Sequence, residues 1–534
     1  MNIIVSRTRL LLIIVSLCTL PGTISQAMGS ESRQPMASRP PAVLIIGSGI
    51  SGIAAAHKLY THGFRNLKVL EAKGRTGGRI WSQSYGKGFV ELGAQWIHGP
   101  SPGNPIYQLA LKYALLDPEA MTMENQKVEV DGHLPLFHIS YGSSGKIVSR
   151  ELVANITEQY SSWLEQSRNV SQKDCDPKAS VGGFLQQKIA SKAKEWDSAN
   201  KDMKLALFKG MLDLECCISG THSMNYVALC PYGEYTMLPG LDCTFPGGFE
   251  SVVNQLKSPL PNDMILLNKT VKTVQWNGTF QGSDSQMYPV QVQCEDGETF
   301  EADHVIVTVS LGFLKEKASS FLSPALPPNK AQAVQNVGFG TNNKIILEFK
   351  EPFWDPDCKT IQLIWEGESP LLETKRNMKQ DWVKKIPGFV VLERPERIGH
   401  MLCSFIAGDE SEYMETLTDD EVLSSMTALL RQFTGIPELP APIHMLRTKW
   451  HSEPYTHGSY SYIAVGSSGD DIDILAQPLP NEGAKPLQVL FAGEATHRSF
   501  YSTTHGALSS GWREAERLIG RYQELDSLLN KSKL

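Results

Sequence analysis

Four consecutive apolar residues, Val43-Leu44-Ile45-Ile46, run into a glycine cluster and then into Ile53-Ala54-Ala55-Ala56. A short unbroken apolar run before a tight turn predicts a strand buried on both faces, followed by a helix. Leu67-Lys68-Val69-Leu70 predicts the next strand. Helical spacing then dominates residues 105–213, most clearly over 153–164 and 201–214. Gly247-Gly248 leads into another helix ending near residue 256. Strands are predicted over 271–276, 290–294, 304–309, 344–349 and 389–392, and a helix over 419–433. Val489-Leu490-Phe491-Ala492 is a further buried strand, closed by Gly493-Glu494, and a helix over 506–522 follows. Residues 30–41 are polar and contain prolines, as a disordered lead-in does. The alternation of strands and helices predicts an α/β chain, α+β overall, and no fixed-period repeat is present.

The first turn carries chemistry. Gly47-Ser48-Gly49-Ile50-Ser51-Gly52 lies between strand and helix, and Glu71 follows Gly52 by 19 residues at the end of the second strand. Gly47 permits the sharp turn, Gly49 the close approach of a pyrophosphate, and Gly52 close packing of helix on strand. Ser51 stands in the first helical turn, where free N–H groups meet phosphates. Glu71 is placed to accept hydrogen bonds from a ribose. The pattern therefore predicts a dinucleotide site. A Rossmann-like domain assembled from residues 42–104, 240–309 and 450–522 would hold it, with 105–239 and 310–449 forming a substrate domain. Residues 1–36 read as a targeting or disordered lead-in and 523–534 as a tail.

At 534 residues, 41% hydrophobic and 20% charged, the chain has the composition of a soluble globular protein of two or three domains. A net charge of −7 offers no nucleic-acid surface and is compatible with a cationic substrate. Nine cysteines without regular spacing or a CxxC pair predict scattered thiols, neither a disulfide framework nor a metal site. Arg7 and Arg9 precede short apolar runs, the shape of a signal peptide and too short for a stable membrane span. The chain ends in Ser532-Lys533-Leu534, the address read by the peroxisomal import receptor. Peroxisomal residence is the favoured reading and secretion the alternative. Asn-x-Ser/Thr triplets at Asn155, Asn169, Asn268 and Asn277 are near chance in number and do not decide between them.

Glu71-Ala72 is followed by Arg75-Thr76-Gly77-Gly78-Arg79, which resembles the extended flavin fingerprint of the amine oxidase family. The resemblance widens through Glu91-Leu92-Gly93-Ala94-Gln95-Trp96-Ile97-His98-Gly99, Gly338-Phe339-Gly340-Thr341-Asn342-Asn343-Lys344, Gly458-Ser459-Tyr460-Ser461-Tyr462, Phe491-Ala492-Gly493-Glu494 and Tyr501-Ser502-Thr503-Thr504-His505. Over residues 42–520 the chain closely resembles the vertebrate peroxisomal N1-acetylpolyamine oxidases, with spermine oxidases as near relatives.

The resemblance implies a FAD-binding Rossmann-like domain plus a monoamine-oxidase-like substrate domain of mixed sheet and helices. It implies oxidation of N1-acetylspermine and N1-acetylspermidine by O2 to 3-acetamidopropanal, H2O2 and spermidine or putrescine. No cysteine lies between Arg498 and Ala507, so FAD is expected without a covalent link. Gln95, Trp96, Ile97 and His98 are expected along the flavin, Arg79 near its pyrophosphate, Glu494 on its hydroxyls, and Thr503 and Thr504 on its oxygens. Val271 is expected at the adenine. Lys344 matches the family lysine that holds a water at the flavin. His98 is expected to face the substrate amine.

Trp96 and Tyr460 suit aromatic walls for an amine. Glu215 reads either as an attractor of a distal ammonium or as a surface glutamate. Asn342 reads either as a substrate contact or as a turn residue. Ser502 is expected near the acetamide end. A monomer is expected. Competing readings are spermine oxidase, a secreted L-amino-acid oxidase (no cation for a substrate carboxylate is identifiable), a histone demethylase (no long helical insertion is visible) and a non-enzymatic binding protein on the same fold.

Overall fold

The computed structural model describes residues 39–117, 138–198, 200–372, 377–392, 394–480 and 485–531. The signal-like segment and Ser532-Lys533-Leu534 lie outside them. Val43–Ile46 takes the centre of a five-stranded parallel sheet, in the order Val489–Phe491, His304–Val307, Val43–Ile46, Leu67–Leu70 and Ile265–Leu266. Both faces are covered at Val43–Ile46 and Val489–Phe491, which is why these two strands read as unbroken apolar runs. The first helix, Ile50–Thr61, packs along the last, Thr504–Lys531. Ser51 Oγ and Ser510 Oγ meet at 3.2 Å. A Cβ on Gly511 would fall 2.1 Å from the Ser51 carbonyl oxygen, so the crossing requires glycine there. The last helix continues to Lys531, so residues 523–531, expected as tail, are helical.

A second, six-stranded sheet runs in the order His444–Arg447, Asn342–Phe349, His400–Ala407, Gly388–Val391, Thr360–Ile364 and Ile139–Gly142. It is antiparallel apart from the last pair. Helices Arg150–Arg168, Val181–Lys192 and Lys201–Ser219 form an apolar cluster with Ile364 and Ala407 of that sheet. The strands predicted at 271–276 and 290–294 do not join the parallel sheet. Val271–Gln275 and Val290–Cys294 form a separate four-stranded sheet with Thr299–Ala302 and Leu322–Ser323. The alternating burial of Val290–Cys294 marks a sheet with one face less covered than the other.

The expectation of scattered thiols is overturned at one pair. Cys175 and Cys230 are joined in a disulfide, with Cα atoms 5.6 Å apart. They lie 55 residues apart in sequence, and the meeting is made by tertiary pairing: Leu229 N donates to the Ala179 carbonyl and Val181 N to that of Val227. Cys216, Cys217, Cys294, Cys358 and Cys403 are buried free thiols and Cys243 is half-buried.

Candidate active site

A cavity of about 850 Å³ passes from the Gly47-Gly49 turn, past Arg79 and Glu494, to Lys344, Tyr460 and Glu215. This volume is in the upper range of small-molecule sites. It thereby joins the ends of the parallel strands to the wall of the six-stranded sheet.

The dinucleotide end is shaped by what a side chain would meet. Gly47 has φ +99°, and a Cβ there would lie 2.6 Å from Thr308 Oγ1. At Gly52 a Cβ would lie 2.0 Å from the Gly47 carbonyl oxygen, so this glycine sets helix packing and does not line the cavity. Gly49 is different. Its φ is an ordinary −63°, and the nearest atom to an added Cβ is the Gly77 carbonyl oxygen at 4.0 Å. Ser51 borders the same space, and no side chain caps the N-terminus of Ile50–Thr61. Open space beside a glycine at an uncapped helix N-terminus fits a pyrophosphate.

Glu71 is buried and clamps the turn. It accepts from Ser48 N at 2.7 Å, Ser48 Oγ at 2.6 Å and Lys73 N at 2.9 Å. A carboxylate offers about four acceptor positions, so capacity remains for a ribose hydroxyl. Val271 lines the cavity, as do Lys73 and Thr270.

Glu494 and Arg79, 415 residues apart, form an ion pair at 3.0 Å. Arg79 also donates to the Ser459 carbonyl, and Glu494 accepts from Ser461 Oγ at 2.5 Å and Ser502 N at 2.7 Å. The carboxylate thus ties three segments together around the cavity. Ser502 adopts φ +64°, which aims its N–H at Glu494. Thr503 Oγ1 accepts from Gly506 N at 3.0 Å and donates to the Phe500 carbonyl, so its hydroxyl is used as a helix cap. Thr504 begins the last helix and lines the cavity. Ile97 does not line it: the side chain is in the core, and its N–H donates to the Cys243 carbonyl.

Lys344 sits on strand Asn342–Phe349 and is 6% exposed. Its Nζ donates to the carbonyls of Glu91 and Gly93 at 2.9 and 2.8 Å and to Gln95 Oε1 at 2.8 Å. Three acceptors match the three N–H groups of an ammonium. Burial pulls its pKa below the usual lysine range, while the fields of Cys403 and Glu91 oppose the fall. Burial pushes Glu91 up to about 7 against its bonds from Phe249 N and Ser82 Oγ. The lysine therefore pins the loop that carries Gln95, Trp96 and His98 along the cavity.

Trp96 packs on Phe405, ring centroids 5.7 Å apart. His98 Nδ1 lies 2.6 Å from Asp242 Oδ2, and Asp242 Oδ1 accepts from Gly99 N. Burial lowers the imidazole pKa, but the charge and hydrogen bond of Asp242 outweigh it and hold the pKa above the ordinary value. Tyr460 donates to the Cys217 carbonyl and accepts from Asn342 Nδ2 at 2.8 Å. Asn342 is therefore a strand residue lining the cavity, not a turn residue.

Glu215 is buried, 2% exposed, in the last turns of Lys201–Ser219, so the surface reading of this residue is wrong. It accepts from Tyr232 Oη at 3.1 Å. Burial raises its pKa against the field of Arg168 and the Tyr232 bond. Arg168, Tyr232, Asp242 and Phe405 also line the cavity. They were not found from the sequence, where each stands outside any spaced motif. Among the described residues no group of His, Cys, Asp and Glu could hold a metal ion, and no helix is long and apolar enough to cross a membrane.

A glycine cradle, a ribose-side carboxylate and a connected aromatic chamber define a flavoenzyme site. The chain belongs to the flavin-containing amine oxidoreductases, whose family model matches residues 50–519. Its cofactor is FAD; Gly47, Gly49, Glu71, Arg79 and Glu494 line the cavity. Two similar proteins, from Bos taurus and Homo sapiens, are each named peroxisomal N(1)-acetyl-spermine/spermidine oxidase. Both are 53% identical, over 500 and 485 residues, covering 92% and 90% of this chain and 97% and 95% of theirs. Polyamine oxidase 1 of Oryza sativa subsp. japonica is 33% identical over 529 residues, covering 91% of this chain and 99% of its own.

Proposed function

We propose that this protein oxidises N1-acetylated polyamines at the carbon beside the internal secondary amine. For N1-acetylspermine, substrate, O2 and water give 3-acetamidopropanal, spermidine and H2O2; N1-acetylspermidine gives putrescine in place of spermidine. FAD, when bound, supplies the two-electron acceptor and the route to O2. The observation that carries the reading is the cavity itself, which runs without a break from the dinucleotide cradle to a chamber walled by Trp96, Phe405 and Tyr460. The identity to the bovine and human enzymes supports the acetylated substrate.

In this reading the chain's residues hold and orient the amine. Trp96 and Tyr460 give it aromatic faces, and Asn342 and Ser502 supply polar contacts. With Nδ1 on Asp242, the neutral His98 presents Nε2 as an acceptor for the amine N–H. That arrangement favours the uncharged amine from which electrons can leave. Glu215 sits where a distal ammonium of the polyamine would arrive. Lys344 keeps the Gln95 loop in place and bears on turnover. The parallel-sheet lobe serves FAD and the six-stranded lobe serves the substrate. The protein acts as a monomer, and Ser532-Lys533-Leu534 directs it to the peroxisome.

The test is a peroxide assay on the purified yellow enzyme with N1-acetylspermine, N1-acetylspermidine, spermine and spermidine. The acetylated pair should have the higher kcat/KM. A preference for free spermine would replace this reading with spermine oxidation.

A further inference from the structure

The Cys175–Cys230 disulfide joins two segments that each carry a chamber-lining residue, and the reaction proposed above does not use it. Cys175 follows Arg168 by seven residues, and Cys230 precedes Tyr232 by two. Arg168 and Tyr232 both line the cavity with Glu215. The two segments are tied at successive points. The Arg168 guanidinium lies over the Tyr232 ring, 4.7 Å from its centroid. Gln172 Nε2 donates to Glu234 Oε1 at 2.9 Å, and the disulfide closes the far end. Tyr232 then delivers its hydroxyl to Glu215 at 3.1 Å. The first two ties are a cation–π contact and an exposed hydrogen bond, each worth little alone. The covalent link reinforces these ties and the neighbouring backbone pairs Leu229–Ala179 and Val181–Val227, and it is the one tie among them that thiol chemistry can open and close.

We propose that Cys175 and Cys230 form a redox-dependent staple that positions Arg168 and Tyr232 against Glu215, and so sets the affinity for the distal part of the substrate. The proposal rests on the amine-oxidising reading, because that reaction supplies the oxidant. Two thiols and one H2O2 give one disulfide and two waters. One thiolate attacks a peroxide oxygen, the O–O bond breaks, and the hydroxide that leaves takes up a proton. The second sulfur displaces hydroxyl from the resulting sulfenic acid as water, and the S–S bond forms. Both cysteines are half-buried, which leaves them within reach of a small oxidant. A reducing compartment opposes such links, and peroxide made at the adjoining site opposes the reduction. With the staple closed, Tyr232 holds the Glu215 carboxylate in one position. With it open, the wall loosens while Lys344, His98 and the FAD cradle stay as they are.

The positioning role separates KM from kcat. FAD-loaded wild-type enzyme is compared before and after mild dithiothreitol treatment, with alkylation mapping of Cys175 and Cys230. Reduction should raise the KM for N1-acetylspermine by about fivefold, the size of effect that one hydrogen bond to the substrate carries, with kcat and flavin content unchanged. Added H2O2 should restore both the disulfide and the low KM. The double variant Cys175→Ser with Cys230→Ser should match the reduced enzyme and ignore dithiothreitol. Hydrogen exchange should quicken over residues 168–181 and 227–234 on reduction. Both cysteines free in the air-oxidised enzyme, or equal KM and equal exchange in the two states, would overturn the staple. Exchange and thiol mapping need no turnover, so an enzyme inert to acetylpolyamines would fail the substrate reading and leave the staple to be judged by those two measurements.

Discussion

His98 Nδ1 and Asp242 Oδ2 lie 2.6 Å apart at the chamber wall, so the carboxylate acts on the protonation of the imidazole proposed to accept from the amine. The carboxylate raises the imidazole pKa above its ordinary value of 6.5 in spite of burial. His98 must be neutral to accept from the amine. Activity should therefore be lost as pH falls through this raised pKa, with an acid limb above 6.5. Asp242→Asn removes the charge that raises the pKa, so that limb should move to lower pH. Profiles of kcat/KM from pH 5.5 to 9 check this, and an unmoved limb would place the controlling proton elsewhere.

Lys344→Met leaves the carbonyls of Glu91 and Gly93 and the Gln95 amide oxygen without their donor. Turnover should drop by about tenfold or more, while the protein remains yellow. Stopped-flow traces of flavin reduction and reoxidation report which half-reaction slows. Unchanged rates in both would reduce the lysine to a structural strut.

The physics behind legibility differs from residue to residue. The first strand–turn–helix was readable because glycine spacing and an apolar run state a local geometry. Glu494 was readable as an acid closing a buried strand. Its partners were not: Arg79 and Ser461 lie 415 and 33 residues away, Ser502 is reached by a turn eight residues on, and only folding shows that they satisfy it. Ile97 lies inside a cavity-lining stretch, yet its side chain is buried in the core where its backbone pairs with Cys243, a partner far off in the chain. Asp242, Arg168 and the Cys175–Cys230 link depend on pairings across many residues, for which a lone sequence carries no spacing signal.

Two neighbouring glycines should respond in opposite ways to one methyl group. Gly52→Ala drives a Cβ to 2.0 Å from a backbone oxygen, a clash costing roughly 3 kcal/mol or more, and should leave little folded protein. Gly49→Ala meets nothing closer than 4.0 Å at an ordinary φ, so the fold should persist. Its methyl occupies the space assigned to the pyrophosphate, so FAD content should fall. Circular dichroism with flavin absorbance separates the outcomes, and full FAD loading of Gly49→Ala would misplace the cradle.

Glu494→Ala leaves the half-buried Arg79 without its carboxylate and Ser502 N without its acceptor. Stability should fall by roughly 2–3 kcal/mol, and FAD should be lost during gel filtration. Glu494→Gln keeps one acceptor oxygen and should retain more cofactor. Full FAD retention by both variants, each of which lacks the carboxylate charge, would show that the ion pair has no part in holding FAD.

The most direct test of the whole account is anaerobic titration of the purified protein with N1-acetylspermine, followed in the visible spectrum. The preparation should be yellow, release FAD on denaturation, and bleach with one equivalent of substrate, the colour returning with H2O2 when air is admitted. A flavin-loaded protein whose spectrum does not change with any acetylated polyamine would contradict it.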